Sequence, residues 1–347
     1  MLRSILKKLG LAKSEASGAP DAVAMDAAPA PAPASDAPDA TPVPVIDARH
    51  DLVAVRAELT AALHARYHEL LDHLPAALEN TDAPALVRSL LEEGESAIRQ
   101  PPLAAQKALA AARAPDVTVN DLVALVSNDP GLAQGLLRYA NSALCARGDQ
   151  PCVSLGSAIE RVGTRGVENV LLSSMVGGML CRPGTSYDDL VRLVWTHMVR
   201  CAPLAHALAP RFGVDPEHAY ALGLLHDSGK LVLFERVSRF RQSWRRELNL
   251  PRHFLLWTLK RLHEPMGGLA ALQWGLGPRA AWSIAHHHRD PVPEVADPAG
   301  EVIFLAERFD LARARGVVLD AEQVWAQGGL SGVPALPDDL DRLDPAA

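Results

Sequence analysis

AYALGLLHDSGKLVL, residues 219–233, places the polar pair His226–Asp227 between two apolar runs. Lys230 follows His226 by four residues, so on a helix the two side chains lie on nearly the same face. A neutral imidazole supplies a directional lone pair and a carboxylate supplies negative charge, a combination that binds divalent cations. The ammonium group of Lys230 could contact a phosphate oxygen beside such a cation. The His226–Asp227 pair alone is a weak signal for a metal site.

Further histidines lie on successive predicted helices on both sides of this stretch. His197 occurs in LVWTHMV, His263 in RLHEPMGGLAAL, and His287 and His288 in AHHHRDP. Together with His226–Asp227, hereafter the HD pair, they supply enough ligands for one metal ion, or for two. The alternative is a buried polar network, in which imidazoles bond one another or backbone carbonyls without an ion. The sequence leaves both interpretations open.

Helical periodicity extends along the chain from residue 51 onward. The first stripe of apolar residues recurs every three or four positions, at Leu52, Val55, Leu59, Leu63 and Tyr67. A second helix is predicted over 84–98, and a longer one through His197 is predicted to be kinked or offset at Pro203. No segment after residue 50 shows the alternation of a strand. The predicted fold class is therefore all-α.

Bulk composition excludes several classes of protein. The net charge of -7 and the isoelectric point near 6.0 give no general attraction to nucleic acid phosphates. The cysteines follow neither a zinc-knuckle nor a secreted-scaffold pattern, which predicts reduced cytoplasmic thiols at Cys145, Cys152, Cys181 and Cys201. No apolar run reaches the ~18 residues that a membrane-spanning helix needs. We expect a cytoplasmic protein.

The chain divides into five predicted parts. Residues 1–13 form a short basic amphipathic helix that suits peripheral contact with the inner membrane. Residues 14–47 are rich in Ala, Pro and Asp and are predicted to be a disordered linker. A helical segment over 48–98 precedes the main domain at 99–295, and 296–347 comprises C-terminal helices and a tail.

Two runs resemble the HD-related output domain (HDOD) of bacterial signalling proteins. The first is QPPLAAQKALAAARAPDVTVNDLVALVSNDPGLAQGLLRYANSAL over 100–144, followed by SLGSAIERVG over 154–163. The second comprises the histidine-bearing segments quoted above. The resemblance covers about residues 99–295 and implies an all-helical domain of two lobes. It also assigns a set of family-motif residues, namely Asp129, Pro130, Asn141, Ser142, Gly163, Trp195, Gly223, Gly229 and Trp274.

The same region is similar to the HD-GYP phosphodiesterases, which use the HD pair and its lysine around metal ions. HDOD proteins keep many of these histidines yet are regarded as lacking hydrolase activity. Two departures favour the HDOD interpretation. No GYP-type segment follows His288, and the position near Ala306, where an HD hydrolase has its late aspartate, instead offers Glu307. Asp290 is another candidate, and we expect it to be solvated.

We therefore expect a non-catalytic signal-transduction output module that acts through contacts with a signalling protein or a small ligand. No cofactor is required, and the residues leave a divalent ion open, of which Fe, Mn and Mg are the candidates. The expected contact site is the groove between the lobes, where Asn141 and His226 approach one another. One alternative is a metal-dependent phosphohydrolase acting on a nucleotide or cyclic dinucleotide. The other is a scaffold tethered to a membrane or larger assembly through residues 1–13.

Overall fold

The computed structural model describes residues 51–336 except 143, 146–149, 181–186, 245 and 333. Within that part of the chain every regular element is a helix, which confirms the all-α prediction. We number the α-helices in chain order: α1 Leu52–Asp72, α2 Ala76–Glu79, α3 Ala83–Glu93, α4 Leu103–Ala112, α5 Val119–Ser127, α6 Pro130–Ala140, α7 Leu155–Leu180, α8 Asp188–Leu208, α9 Pro216–Leu225, α10 Ser228–Ser243, α11 Arg252–Gln273, α12 Pro278–Ala285, α13 Pro298–Arg315 and α14 Ala321–Gly328.

Two of the predicted sequence segments lie outside the described residues. These are the basic helix at 1–13 and the Ala/Pro/Asp linker at 14–47. Among the helices that the structure does describe, none is both long enough and apolar enough to cross a bilayer.

The family-motif residues Asp129, Pro130 and Asn141 begin and end α6. The Asp129 carboxylate accepts from the Gly131 amide at 2.7 Å and caps the helix, and Pro130 occupies its first turn, where its missing N–H has no cost. At the other end, Asn141 holds the backbone of Cys152, accepting from its N–H at 2.7 Å and donating to its carbonyl at 2.9 Å. These motif residues therefore fix helix ends.

The helical segment before the main domain packs into the same core as that domain. Leu59, Leu63 and Tyr67 on α1 are at most 1% exposed and belong to one apolar cluster with Leu262 and Met266 on α11. The second helix predicted there, over 84–98, is shorter than expected. It ends at Glu93 because Gly94 has a φ of 46°, and a 3-10 turn, Gly94–Ala97, follows.

Two glycines of the family motif let the helices of the core approach at backbone distance. A Cβ atom on Gly223 of α9 would lie 3.0 Å from the Cys201 carbonyl oxygen of α8. A Cβ on Gly229 of α10 would overlap the His263 carbonyl oxygen of α11. Four helices are thus held close together at the level of the HD pair, while α8 continues through Pro203 to Leu208.

The C-terminal helices return to the middle of the chain. Val302 and Leu305 of α13 are buried in a second apolar cluster with Leu204 and Leu208 of α8, and Trp325 of α14 closes it. This packing turns the opposite face of α13 toward the histidine-bearing part of α8. Residues beyond the predicted domain boundary therefore reach the candidate site.

A candidate metal centre

The structure brings together the six residues that the sequence singles out, and we call them the histidine–aspartate cluster. His197 lies on α8, while His226 and Asp227 occupy the junction of α9 and α10. His263 lies on α11, and His287 follows the end of α12 with His288 next to it. The centre of the group is almost free of solvent, since no member of the following set is more than 1% exposed: His226, Asp227, His263 and His287.

The Asp227 carboxylate lies at the middle of a ring of imidazole Nε2 atoms. Its Oδ1 atom is 3.7 Å from Nε2 of His263 and 3.7 Å from Nε2 of His287. Its Oδ2 atom is 3.7 Å from Nε2 of His226 and 3.9 Å from Nε2 of His197. All four separations exceed hydrogen-bond length. The nitrogens therefore face the carboxylate without bonding to it.

Backbone carbonyls fix which nitrogen carries the proton in three of these rings. The Nδ1 atom lies 2.8 Å from the Gly223 oxygen in His226, 2.9 Å from the Leu259 oxygen in His263, and 2.7 Å from the Ile284 oxygen in His287. A carbonyl oxygen only accepts, so each Nδ1 must donate. In the neutral ring the Nε2 atom then holds a lone pair, which is directed at the cluster.

Two carboxylates of α13 orient the remaining two rings in the same sense. His197 Nδ1 donates to Asp310 at 2.7 Å, and His288 Nδ1 donates to Glu307 at 3.1 Å. Their Nε2 atoms then approach other Nε2 atoms, at 3.2 Å between His197 and His226 and 3.0 Å between His288 and His263. Facing lone pairs repel unless a proton or a cation lies between them. Carboxylate–histidine pairs of this kind are typical of metal ligands.

Two buried atoms of the cluster have no hydrogen-bond partner in the described part of the chain, Asp227 Oδ1 and His287 Nε2. Leaving a buried acceptor unpaired is costly, and a bound cation would satisfy both atoms at once. The donor atoms also fall into three groups whose members lie within 4.8 Å of one another: His226 with Asp227 and His287, His263 with His287 and His288, and His197 with Cys201 and His226. The residues fit a divalent ion.

Burial and charge set the protonation of the cluster. Burial lowers the pKa of His226 below its usual value and lowers the pKa values of His263 and His287 well below theirs, which keeps these rings neutral. Burial would raise the pKa of Asp227, but the positive groups around it, first Lys230 with its Nζ 2.7 Å from Oδ2 and then the surrounding imidazoles, together hold that pKa well below its ordinary value. The centre thus presents neutral imidazoles around one ionised carboxylate.

His288 is the exception among the rings. Burial alone would lower its pKa, yet the neighbouring Glu307 carboxylate outweighs burial and raises the pKa of His288. The same pairing holds the pKa of Glu307 well below its usual value, against the opposing effect of burial. When His288 is protonated it donates from Nε2 to His263, and a proton then separates that pair of nitrogens.

Some of these residues were missed by the sequence argument. Asp310 was not considered, and Glu307 had no assigned contact, although their spacing of three residues puts both on one face of α13. Cys201 lies one helical turn after His197, and its Sγ atom is about equally far from both ring nitrogens, at 3.6 and 3.7 Å. Asp290 is exposed, as expected. The metal-ligand roles of the six residues stay a prediction.

A cavity in the described part of the chain lies away from the histidine cluster. It is bounded by the end of α4, by α7, by the start of α9 and by the turn after α11. Its volume is about 420 Å³. Charged and polar side chains form most of its lining, which includes Arg113, Arg165, Glu168, Asn169, Glu217 and His218. Neither Asn141 nor His226 takes part. This cavity is therefore not the groove expected between those two residues. Asn141 is instead bonded to the Cys152 backbone, and His226 faces the histidine cluster.

Comparison with known proteins identifies the domain. The model of the HDOD domain family matches residues 98–290. An uncharacterized protein of Treponema pallidum (strain Nichols) is 32% identical over 192 residues, which make up 53% of this chain and 36% of the relative. The chain thus spans about a third of the length of this curated relative.

Two solved structures from Shewanella amazonensis SB2B have similar folds. One, named as a candidate metal-dependent phosphohydrolase, has a TM-score of 0.56 at 16% identity and covers 76% of this chain and 88% of its own. The other, named as a candidate phosphohydrolase, has a TM-score of 0.54 at 20% identity and covers 76% of this chain and 94% of its own. At these identities the likeness shows the fold alone.

The family match covers more than half of the chain and includes all six residues of the histidine–aspartate cluster. Its quoted motifs lie at the helix ends and close helix contacts described above. The chain belongs to the HDOD domain family.

Proposed function

We propose that this protein is a metal-binding output module of a signalling pathway, in which the histidine–aspartate cluster holds one or two divalent ions. The observation that carries the proposal is the convergence of imidazole Nε2 lone pairs on Asp227, with Oδ1 of Asp227 and Nε2 of His287 left unpartnered. Neutral imidazole and carboxylate donors suit Fe, Mn and related first-row ions, and carboxylate with water also suits Mg.

An ion at this position would link most of the helical core. Its candidate ligands come from α8, the α9–α10 junction, α11 and the end of α12, and α13 supports two of the rings. A ligand that binds only the folded state stabilises it by mass action. We infer that metal occupancy changes the rigidity of the domain and thereby the surfaces that it offers to a signalling protein or small ligand. Residues 1–13 would then serve as a tether.

The proposal is tested by thermal unfolding of metal-free full-length protein with and without added Mn²⁺. At a free concentration one hundred times the dissociation constant, the expected stabilisation is about 2.7 kcal/mol. His287→Ala should abolish the shift. The matched control is His286→Ala, because the His286 ring stacks on Trp282 and its Nδ1 atom bonds the Trp282 carbonyl, outside the cluster. Equal shifts in the two variants would overturn the proposal.

A second candidate function, metal-dependent phosphohydrolysis, is favoured by Lys230. Its amine lies 2.7 Å from Asp227 and its side chain is 10% exposed, so it is a cationic group beside the cluster that suits a phosphate oxygen. A bound divalent ion would supply an activated water and neutralise charge on a phosphoryl group. The part of this chain would be to hold that ion and to position the phosphate through Lys230. We rank this function second, because the other central donors are almost fully buried.

A further inference from the structure

Among the described residues, Asp310 contacts the histidine–aspartate cluster through His197. It lies on α13, outside the residues that match the family model, and is 2% exposed. Its Oδ2 atom accepts from His197 Nδ1 at 2.7 Å and also from Arg200 Nη2 at 2.9 Å. Its Oδ1 atom accepts from Arg200 Nε at 2.6 Å.

In all three hydrogen bonds the Asp310 carboxylate is the acceptor. Arg200 offers a rigid, bidentate pair of donors, which fixes the plane of the Asp310 carboxylate. Arg200 is itself anchored three residues from His197 on α8, so the guanidinium and the imidazole extend from one face of one helix. Asp310 bridges them from α13. Both of its oxygens are occupied by donors, and it is absent from every group of donor atoms close enough to share an ion.

We infer that Asp310, fixed by Arg200, is a positioning residue that holds His197 in the tautomer and orientation needed to bind metal through Nε2. This inference rests on the proposed metal-binding function. Without the Asp310 carboxylate, nothing in the described residues would compel the proton to stay on Nδ1. The ring could then place its N–H at Nε2, toward His226, and withdraw its lone pair from the cluster.

The chain offers a matched control for the loss of a buried carboxylate from α13. Glu301 is also 2% exposed and lies on the same helix, but it accepts from the backbone and hydroxyl of Ser331, both at 2.7 Å, and not from a histidine of the cluster. Glu301→Gln removes a buried charge that pairs with Arg289, at 3.8 Å between Oε1 and Nη2, and contacts none of the cluster histidines. Its effect on metal affinity separates positioning from a general weakening of the fold.

The experiment uses metal-free full-length protein labelled with ¹⁵N-histidine. Titration with Mn²⁺, with free ion followed by electron paramagnetic resonance, should show an affinity loss of about ten- to hundredfold in Asp310→Ala. Arg200→Gln should lose less, since the carboxylate remains, and Glu301→Gln should match the parent. Nitrogen NMR of the metal-free parent should show His197 protonated at Nδ1, and Asp310→Ala should lose that signature.

Unchanged affinity and an unchanged Nδ1 signature in Asp310→Ala would overturn the inference, as would an equal affinity loss in Glu301→Gln. A parent protein that binds no Mn²⁺ would overturn the proposed function instead. The His197 tautomer, measured without metal, would then still decide whether Asp310 positions the ring.

Discussion

The Oδ1 atom of Asp227 and the Nε2 atom of His287 lie 3.7 Å apart in the buried centre of the domain, and neither has a hydrogen-bond partner among the described residues. Both atoms are acceptors, because His287 donates from Nδ1 to the Ile284 carbonyl. Two acceptors facing one another without a donor are unfavourable in a dry interior. A cation bound between the two atoms would remove this unfavourable contact.

Removing the Asp227 carboxylate should destabilise the metal-free protein. Asp227→Ala leaves the Lys230 amine without its 2.7 Å partner in a side chain that is only 10% exposed. We expect a loss of about 1 to 3 kcal/mol for each buried group left unsatisfied. Urea unfolding in chelator-treated buffer measures it. An unchanged free energy of unfolding would mean that the Asp227–Lys230 pair contributes nothing to the fold.

Gly229 should be intolerant of a side chain. Alanine there would place its Cβ against the His263 carbonyl oxygen, so α10 and α11 would have to separate. We expect Gly229→Ala to cost about 1 to 3 kcal/mol, or more, in free energy of unfolding.

Gly178→Ala is the matched control for that substitution. Gly178 lies on α7, and an added Cβ would meet no atom within 4 Å. Replacing a helical glycine by alanine at such a position should stabilise by about 0.5 to 1 kcal/mol. If both variants changed stability in the same direction, the close approach of α10 and α11 would be contradicted.

The metal-free protein should lose stability as pH falls below about 6.5. The pKa values of His226, His263 and His287 are lowered by burial, so the unfolded chain binds protons there that the folded chain refuses. His288 acts in the opposite sense: its pKa is raised, so its contribution is fully present below about 6.5 and is lost as pH rises through the folded-state value.

With three rings against one, the net effect is a decrease on acidification. Asp227 and Glu307, whose pKa values are lowered, add a further loss only below about pH 4. Free energies of unfolding by urea between about pH 8 and pH 5 check this. A stability that is constant or rises toward pH 5 would contradict the assignment of neutral buried rings.

We expect no sustained hydrolysis of cyclic dinucleotides. The donors closest to Asp227 are at most 1% exposed, so a phosphodiester cannot reach them in this conformation. The assay is incubation with Mn²⁺ or Fe²⁺ and chromatography of the products. Multiple turnover that disappears in both His226→Ala and Asp227→Ala, but persists in His286→Ala, would favour the phosphohydrolase.

Much of this arrangement could be predicted from the sequence. The period of apolar residues indicates helices, and Asp129–Pro130 marks the start of one, because both signals are local. The six candidate ligands could be selected because His and Asp are rare in apolar helices and the family resemblance orders them.

The carboxylates of α13 could not be assigned in this way. The role of Asp310 depends on α13 packing against α8, a contact between residues more than one hundred positions apart, whereas Glu307 contacts His288 after the end of α12. Nothing in the local sequence around Asp310 indicates that His197 is its partner. The lone pairs facing Asp227 are likewise a property of ring orientation, which only backbone carbonyls such as Gly223 reveal.

Elemental analysis of freshly purified full-length protein is the most direct test of metal binding by the histidine–aspartate cluster. We predict a first-row divalent metal or magnesium near one or two equivalents per chain in the parent and in His286→Ala, and its loss in His287→Ala. Protein that contains no metal, and takes none up after incubation with Mn²⁺, Fe²⁺ or Mg²⁺, would contradict it.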